Sequence, residues 1–361
     1  MGSYWLKEMD PMVRFNAMIR GEKVDRVPVL PFALGHCAHV MGHPNLGDFY
    51  SKLDVNVKCQ MLARELYGWD QPTMLMNPGY YCADWGGEIE YPYRPTQGSI
   101  ACKRALVQTP EDMDKMQVPD PSKVPSMHAL LDGLKLAISY KQLPTMVWIH
   151  GGWISSTARG VVQLDKFLLW LYKAPDLVNK SLDMTMEYGN RVMEYLVNEV
   201  GNETWLPFDT CPIDSNVLVS PEFFGKFPLP RVIKLHQKGL DLGLPMWFTH
   251  WCGNHNPNIN AGHVDQVPMG EPGLMHFDDT VPLSKSIERF GNKNIILGNV
   301  NTTSLLLKPY EEVYDLCKRN IEMGKNAPKG YMVTAACELP PRAPPMNVYA
   351  MVKAAREYGR Y

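Results

Sequence analysis

Short apolar runs of β type recur eight times along this chain of 361 residues, and helical patterns separate them. This alternation limits the fold strongly, because strands that alternate with helices assemble into parallel sheets. Eight strand–helix units are the number that closes a (β/α)8 barrel. The predicted strands are Val27–Phe32, Pro72–Met76, Thr145–Ile149, Thr204–Phe208, Pro245–Thr249, Gly273–Phe277, Asn294–Gly298 and Tyr331–Ala336.

We expect a single α/β domain over residues 1–361, a closed (β/α)8 TIM barrel with the helical N-terminal region Tyr4–Arg20 packed outside it. The alternative is an open, doubly wound sheet. Its usual nucleotide-binding form is excluded, because no Gly-x-Gly-x-x-Gly follows any of the apolar runs. The stretch 80–105 breaks the alternation, and Asp84–Tyr91 within it predicts a hairpin or an excursion above the barrel.

Helix signals fill the spaces between the runs. The longest helical pattern covers Lys166–Val200. A helix start is predicted at Ser220, which caps, followed by Pro221 at the first helical position and by Glu222, whose charge favours the positive helix end.

The composition predicts a soluble, cytoplasmic enzyme without a nucleic-acid or membrane partner. Charged residues make up 20% and the formal net charge is −2, so no basic surface for nucleic acid is expected. No apolar run reaches the length of a membrane span, and the N-terminus lacks a signal-peptide core. Eight cysteines in a chain of this length fit a reduced protein that keeps a few thiols for metal binding or catalysis.

The residues that say most about function are His250, Cys252 and Cys337. Side chains alternate along a strand, so His250 and Cys252 lie on the same side of an extended chain. Cys337 follows another predicted strand, and the three offer one nitrogen and two sulfur atoms. That donor set suits zinc with an open fourth position for chemistry. The alternative is that the cysteines are small buried apolar residues.

Other candidates follow the C-terminal ends of the predicted strands, where barrel enzymes place their working residues. They are Asp209, Asp278, Asp279 and Asn299, with His150 and Trp153 after the third strand. Asp209 is a candidate acid or base, or else a capping or ion-pair residue. Asn299 either binds substrate or closes the turn after Gly298. His36 and His150 either line the pocket or are satisfied histidines of the core.

Several stretches, taken in their order and spacing, resemble a known family. They are Arg14-Phe15 with Gly21-Glu22, Asp25-Arg26-Val27-Pro28, Gly68-Trp69-Asp70, Leu218-Val219-Ser220-Pro221-Glu222-Phe223-Phe224, His250-Trp251-Cys252-Gly253, Gly298-Asn299, and Cys337-Glu338-Leu339-Pro340 with Pro344 and Asn347. The chain resembles the uroporphyrinogen decarboxylase superfamily and, within it, the corrinoid-dependent methyltransferase branch. The decarboxylase itself is a poor match, because its N-terminal arginine-rich substrate signature is absent and Val300-Asn301 stands where that enzyme has an aspartate.

The resemblance implies a zinc methyltransferase that works with a partner protein carrying a corrinoid (cobalamin). His250, Cys252 and Cys337 fall on the zinc-ligand positions of that branch. The resemblance also places an acidic residue in the fourth site, with Asp278 the first choice and Asp279 the second. Asp209 or Asp278 is then the expected acid that assists the leaving group.

Two directions of methyl transfer stay open. Many aromatic residues are expected near the barrel mouth: Tyr80, Tyr81, Trp85, Trp153, Trp205, Trp247 and Trp251. Flat apolar walls suit an aromatic ring, which favours O-demethylation of a methoxylated aromatic compound. The alternative is methyl transfer from a methylcorrinoid to a thiol of the coenzyme M type. Such a thiol needs a basic anchor, for which only Arg159 and Arg342 are near the ligand motifs.

A non-catalytic reading also stays open, in which the chain is a binding or regulatory relative with a structural zinc. Structural zinc sites have four protein ligands, so three strong ligands favour catalysis. The oligomeric state, a homodimer included, is not fixed by the sequence.

Overall fold

Seven parallel strands form one curled sheet at the centre of the fold. The structure is a computed structural model that describes residues 8–76, 82–141, 143–158 and 160–361. Its strands are β1 (Met74–Leu75), β2 (Ile89–Glu90), β3 (Ala101–Cys102), β4 (Thr145–Trp148), β5 (Trp205–Thr210), β6 (Phe248–Trp251), β7 (Leu274–Phe277), β8 (Ile295–Val300) and β9 (Tyr331–Ala335). The sheet order is β1-β4-β5-β6-β7-β8-β9, so each strand lies beside its neighbours in the chain.

The first predicted strand, Val27–Phe32, is not a strand of this sheet. It makes a single parallel bridge, from Val29 to Val333 of β9. Backbone hydrogen bonds join Leu30 N to Val333 O at 3.0 Å and Asp70 N to Val29 O at 2.7 Å. Pairing ends at Phe32, which has a φ of +56° and leaves the extended conformation. The expected eight-stranded barrel is thus a seven-stranded curled sheet with this segment beside its last strand.

The other strand predictions are confirmed, with shifted ends. The largest shift is in β6, predicted over Pro245–Thr249 and found over Phe248–Trp251. His250 therefore lies inside the strand, where it pairs with Thr210 and His276 in the parallel register. The residues of β6 and β7 are buried throughout, because helices cover the outer face of the sheet.

Helices connect the strands and cover the sheet. They are α1 (Pro11–Ile19), α2 (Gly35–Val40), α3 (Gly47–Ser51), α4 (Leu53–Tyr67), α5 (Pro110–Lys115), α6 (Pro125–Ser139), α7 (Ile154–Thr157), α8 (Leu164–Lys173), α9 (Pro175–Val200), α10 (Pro221–Lys226), α11 (Pro228–Asp241), α12 (Asn256–Asn260), α13 (Leu283–Phe290), α14 (Thr302–Leu307), α15 (Tyr310–Gly324) and α16 (Pro345–Tyr358). The pattern predicted over Lys166–Val200 is two helices, because Pro175 cannot continue α8 and begins α9 instead. Ser220 caps α10 as predicted, accepting a hydrogen bond from Phe223 N.

The excursion before α5 differs from its prediction. A short 3-10 helix covers Ala83–Trp85, and β2 pairs antiparallel with β3 rather than within Asp84–Tyr91. Among the described helices, none combines the length and apolar character that a membrane crossing requires.

A buried ion network fixes the N-terminal end of the sheet. Arg14 of α1 and Arg26 both donate to the carboxylate of Asp70, which also accepts from Val29 N. Arg14 also pairs with Asp25, so α1 is held at the end of the sheet opposite to the predicted site. The buried charges are paired with one another here, which is what burial of charges requires.

Candidate metal centre

His250, Cys252 and Cys337 come together at the C-terminal end of the sheet, as predicted. The distance from His250 Nε2 to Cys337 Sγ is 3.3 Å, and that between the two Sγ atoms is 3.8 Å. All three ligand atoms lie within 4.8 Å of one another. His250 is buried in β6, whereas both cysteines are half-buried, so the sulfur side of the cluster is open to a substrate.

The electrostatics of the cluster favour a charged sulfur atom. A hydrogen bond from the Cys252 thiol, reinforced by the His250 imidazole against the effect of burial, lowers the pKa of Cys337 to about 4. The same hydrogen bond and burial raise the pKa of Cys252 far above its ordinary value. A cation in the cluster would hold both sulfur atoms as thiolates, since metals bind cysteine in that form.

The donor atoms fit zinc. Tetrahedral zinc with bonds of about 2.0 Å to nitrogen and about 2.3 Å to sulfur separates nitrogen from sulfur by about 3.5 Å and sulfur from sulfur by about 3.8 Å. The measured separations, 3.3 Å and 3.8 Å, are close to these values. His250 Nδ1 is buried without a hydrogen-bond partner in the described chain, and Nε2 faces the sulfur atoms as the available ligand.

Asp278, the first choice for a carboxylate in the fourth position, lies outside the cluster. Among the described residues, the set of metal-capable atoms within 4.8 Å of one another is His250, Cys252 and Cys337 alone. The Asp278 carboxylate instead accepts a hydrogen bond from Thr280 N at 2.9 Å. It remains close enough for its charge to contribute to the raised pKa of Cys252. Asp279 is exposed and accepts from Asn301.

Asp209 lies away from the cluster. Its side chain is fully buried, and Oδ2 accepts hydrogen bonds from Trp153 Nε1 at 2.6 Å and from His236 Nε2 at 2.9 Å. His236 belongs to α11, so the carboxylate points to the helical layer rather than to the sulfur atoms. This geometry supports the structural alternative for Asp209 and not the role of an acid or base.

Asn299 closes a turn, which is the structural one of its two predicted roles. Its side-chain amide donates to Val281 O at 2.8 Å and to Asp278 O at 3.2 Å. The amide group thus holds the loop after β7 against the end of β8. Both of its N–H groups donate to backbone carbonyl oxygens, so they are not free to bind a substrate.

His36 is a satisfied histidine of the core. Nδ1 lies 3.1 Å from Pro341 O and Nε2 lies 2.9 Å from the Tyr67 hydroxyl. Because a carbonyl only accepts, Nδ1 carries the proton and Nε2 accepts from Tyr67. Burial lowers the pKa of His36 to about 4. His150 is also buried, with Nε2 3.0 Å from Ser155 O and its ring 4.5 Å from that of Trp148.

The tryptophans predicted for the mouth lie in the core instead. Trp153 and Trp251 are fully buried and meet edge to face at 5.7 Å between ring centroids. Trp251 points into the layer between sheet and helices, because it follows His250 along β6 and its side chain faces the other way. Trp153, which precedes α7, packs against it there. Trp85 is half-buried against Tyr188 at 5.5 Å. Tyr80 lies outside the described residues.

Three aromatic residues beside the cluster were not predicted. The His276 ring stacks on that of His250 at 4.4 Å, and Phe32 meets His250 edge to face at 5.2 Å. Phe248, two residues before His250 on β6, stacks on His276 at 5.9 Å. A histidine in the middle of the apolar run Leu274–Phe277 was the signal for His276. Nothing local marked Phe32, whose position follows from its positive φ.

Comparison of the sequence with family models identifies the family of this chain. The chain matches the family described as Uroporphyrinogen decarboxylase (URO-D) over residues 10–358. The chain belongs to this family. The predicted superfamily is thereby confirmed. Among curated proteins none matches the sequence significantly.

A solved structure of a methyltransferase has a fold similar to that of this chain. A methyltransferase from Methanosarcina mazei superposes with a TM-score of 0.78 at 21% sequence identity, covering 97% of this chain and 99% of that one. A B12-independent methionine synthase from Shewanella sp. W3-18-1, in complex with selenomethionine, gives a TM-score of 0.49 at 10% identity, with 92% and 96% covered. A homocysteine methyltransferase from Escherichia coli, in metallated form, gives 0.27 at 12% identity, with 70% and 90% covered.

Proposed function

We propose that this protein is a zinc-dependent methyltransferase that moves a methyl group from a methoxylated aromatic compound to the cobalt of a corrinoid on a partner protein. The observation that carries the proposal is the cluster of one imidazole and two half-buried cysteines at the C-terminal end of the sheet. Enzymes of this architecture work at that end. The similarity in fold to a methyltransferase, over nearly the whole of both chains, supports the same reading.

His250, Cys252 and Cys337 are the residues that would hold the metal. When bound, zinc supplies either a Lewis acid for an ether oxygen or a site that keeps a thiol as thiolate. The protein supplies three ligands, and a catalytic site keeps its fourth position for water or substrate. The position of Asp278 outside the cluster favours an open fourth position over a closed structural site.

The chain's own residues would hold the His250 ring in place and assist the leaving group. Phe32 meets His250 edge to face at 5.2 Å and lies 5.9 Å from Phe248; both phenylalanines are buried and pack beneath the cluster. The corrinoid of the partner protein would supply the nucleophile that accepts the methyl group, the bond between methyl carbon and ether oxygen would break, and the phenolate oxygen would take up a proton. Asp278, half-buried near Cys252, is the candidate to deliver that proton.

The second candidate is methyl transfer from a methylcorrinoid to a thiol. The observation in its favour is the pair of cysteines itself, because a zinc site rich in sulfur suits an added thiolate. The anchor that an anionic thiol needs is not provided by Arg342, which donates to Pro95 O at 2.8 Å on an exposed rim. Arg159 lies outside the described residues. We therefore rank the ether substrate first.

The test mixes the enzyme with a reduced corrinoid protein and a methoxybenzoate and follows the cobalt absorption spectrum. We expect cobalt methylation with the wild type and with Cys317→Ala, and none with Cys252→Ala. Cys317 is the matched control, because it is a free cysteine buried on α15. Demethylation of methylcobalamin by a thiol, without reaction of any methoxyaromatic, would overturn the ether assignment in favour of the thiol.

We also propose that Val27–Phe32 completes the barrel. The segment bonds to β9 on one side and to Asp70, ahead of β1, on the other. These contacts support a barrel closed by an irregular eighth segment, which would enclose the aromatic surface below the cluster.

A further inference from the structure

His276 occupies the middle of β7 and lies directly beside His250 in the strand register. It is fully buried. Its ring stacks on the His250 ring with centroids 4.4 Å apart and planes inclined by 28°. Phe32 meets the His276 ring edge to face at 5.5 Å, and Phe248 stacks on the His276 ring at 5.9 Å. The plane of the His276 ring is therefore fixed by packing, and the ring limits rotation of His250.

The second contact of His276 reaches β9. Nε2 lies 2.8 Å from the carbonyl oxygen of Ala335, the last residue of that strand and two residues before Cys337. A carbonyl oxygen only accepts, so Nε2 carries the proton and donates it. One buried side chain thus contacts the strand of one metal ligand and the strand that leads to another.

The backbone explains why this carbonyl needs a side-chain partner. Along the edge of β9, Leu30 N donates to Val333 O at 3.0 Å. The next residue able to continue the ladder, Phe32, turns away with a φ of +56°. In the described part of the chain, the Ala335 carbonyl on this edge receives its hydrogen bond from His276 instead. His276 therefore supplies the hydrogen bond that the interrupted backbone pairing leaves unmade.

We propose that His276 is a positioning residue of the metal centre, setting the His250 ring by stacking and the approach of Cys337 through Ala335. The inference rests on the proposed zinc site and adds a residue that touches no metal. Groups behind metal ligands typically change metal affinity or activity about 10- to 100-fold when removed. His276 acts on two ligands from one place, so its loss changes both the affinity for zinc and the geometry of the site.

The test uses two variants that separate the two contacts. His276→Phe keeps an aromatic ring for stacking but removes the donor to Ala335. His276→Gln keeps an N–H donor of similar reach but removes the ring. His236→Gln is the matched control, since His236 is another fully buried histidine, with its hydrogen bonds to Asp209 and Pro268 on the helical layer.

Two measurements are made on each protein, and neither needs the reaction. Zinc affinity is measured by competition with a chromophoric chelator, and the absorption spectrum is recorded after replacement by Co²⁺. We expect His276→Phe to bind zinc about tenfold or more weakly and His276→Gln to recover part of the loss. Both variants should shift the cobalt bands, while His236→Gln keeps the wild-type affinity and spectrum.

Wild-type affinity and wild-type cobalt spectra in both His276 variants would overturn the inference. Wild-type affinity and a wild-type spectrum in His276→Phe alone would overturn the part assigned to the Ala335 bond, and the same result in His276→Gln alone would overturn the part assigned to stacking. Should His276→Phe not fold, His276→Gln alone decides, through its cobalt spectrum. A wild-type protein that binds no zinc would overturn the proposed function as well, whereas unchanged variants of a zinc-binding wild type overturn only the positioning role.

Discussion

Replacement of Asp209 separates a structural from a catalytic role for this buried carboxylate. Asp209→Ala removes the oxygen that accepts from Trp153 Nε1 and His236 Nε2, and both donors are buried. A buried donor left without a partner costs about 1–3 kcal/mol, so the two together cost about 4 kcal/mol. Asp209→Asn keeps an oxygen for these donors but puts an amide NH2 at the buried position of Oδ1, which has no hydrogen-bond partner among the described residues, so it costs about 2 kcal/mol.

The assay is thermal unfolding by calorimetry, with zinc content and methyl transfer measured on the same samples. Unfolding entropy of about 2.1 cal/mol/K per residue gives about 0.8 kcal/mol/K for a chain of 361 residues. The expected fall in Tm is therefore about 5 °C for Asp209→Ala and about 2–3 °C for Asp209→Asn. We expect Asp209→Asn to keep its zinc and its methyl transfer. A loss of transfer of about 100-fold or more in that variant, at wild-type zinc content and with a Tm above that of Asp209→Ala, would refute the reasoning.

Three further predictions concern stability and metal. Burial lowers the pKa of His36 from 6.5 to about 4, so between these pH values the unfolded chain binds more protons than the folded protein. The free energy of unfolding should therefore fall by roughly 3 kcal/mol as the pH falls through that window. Urea titrations at several pH values should show a weaker dependence of this free energy on pH in His36→Phe. Asp70→Ala should lower the free energy of unfolding by about 3–5 kcal/mol, because Arg14 and Arg26 lose a buried counter-ion, and a loss below about 1 kcal/mol by urea denaturation would contradict this. Zinc should dissociate as pH falls, because protons compete for the cysteine ligands, and the Tm should fall with the zinc content at each pH.

Much of the fold was predictable, because fully buried parallel strands read as continuous apolar runs. Seven of the eight runs are strands of one sheet. The exception, Val27–Phe32, has the apolar composition of a strand, but its pairing is cut short by the positive φ of Phe32. The split of Lys166–Val200 at Pro175 was readable from the proline and was missed in favour of the periodicity.

The meeting of His250, Cys252 and Cys337 was predictable, because strand alternation places His250 and Cys252 on one side of the chain at the end of β6, and the resemblance adds Cys337. The surrounding residues were less predictable. Trp153, Trp251 and Asp209 are near the site in sequence but point into the helical layer, since neighbouring side chains on a strand face opposite ways. An error of one residue in the predicted start of a strand assigns each side chain to the wrong face of the sheet. His276 required knowledge of the register between β6 and β7, which local sequence does not contain.

The measurement that tests the metal centre most directly is zinc K-edge X-ray absorption on the purified wild-type protein and on Cys252→Ala. The account predicts, for the wild type, two sulfur atoms at about 2.3 Å and nitrogen or oxygen atoms at about 2.0–2.1 Å. Cys252→Ala should lose its zinc or retain a single sulfur neighbour. A wild-type zinc shell without sulfur, or a variant with full zinc content and an unchanged two-sulfur shell, would contradict the assignment of His250, Cys252 and Cys337.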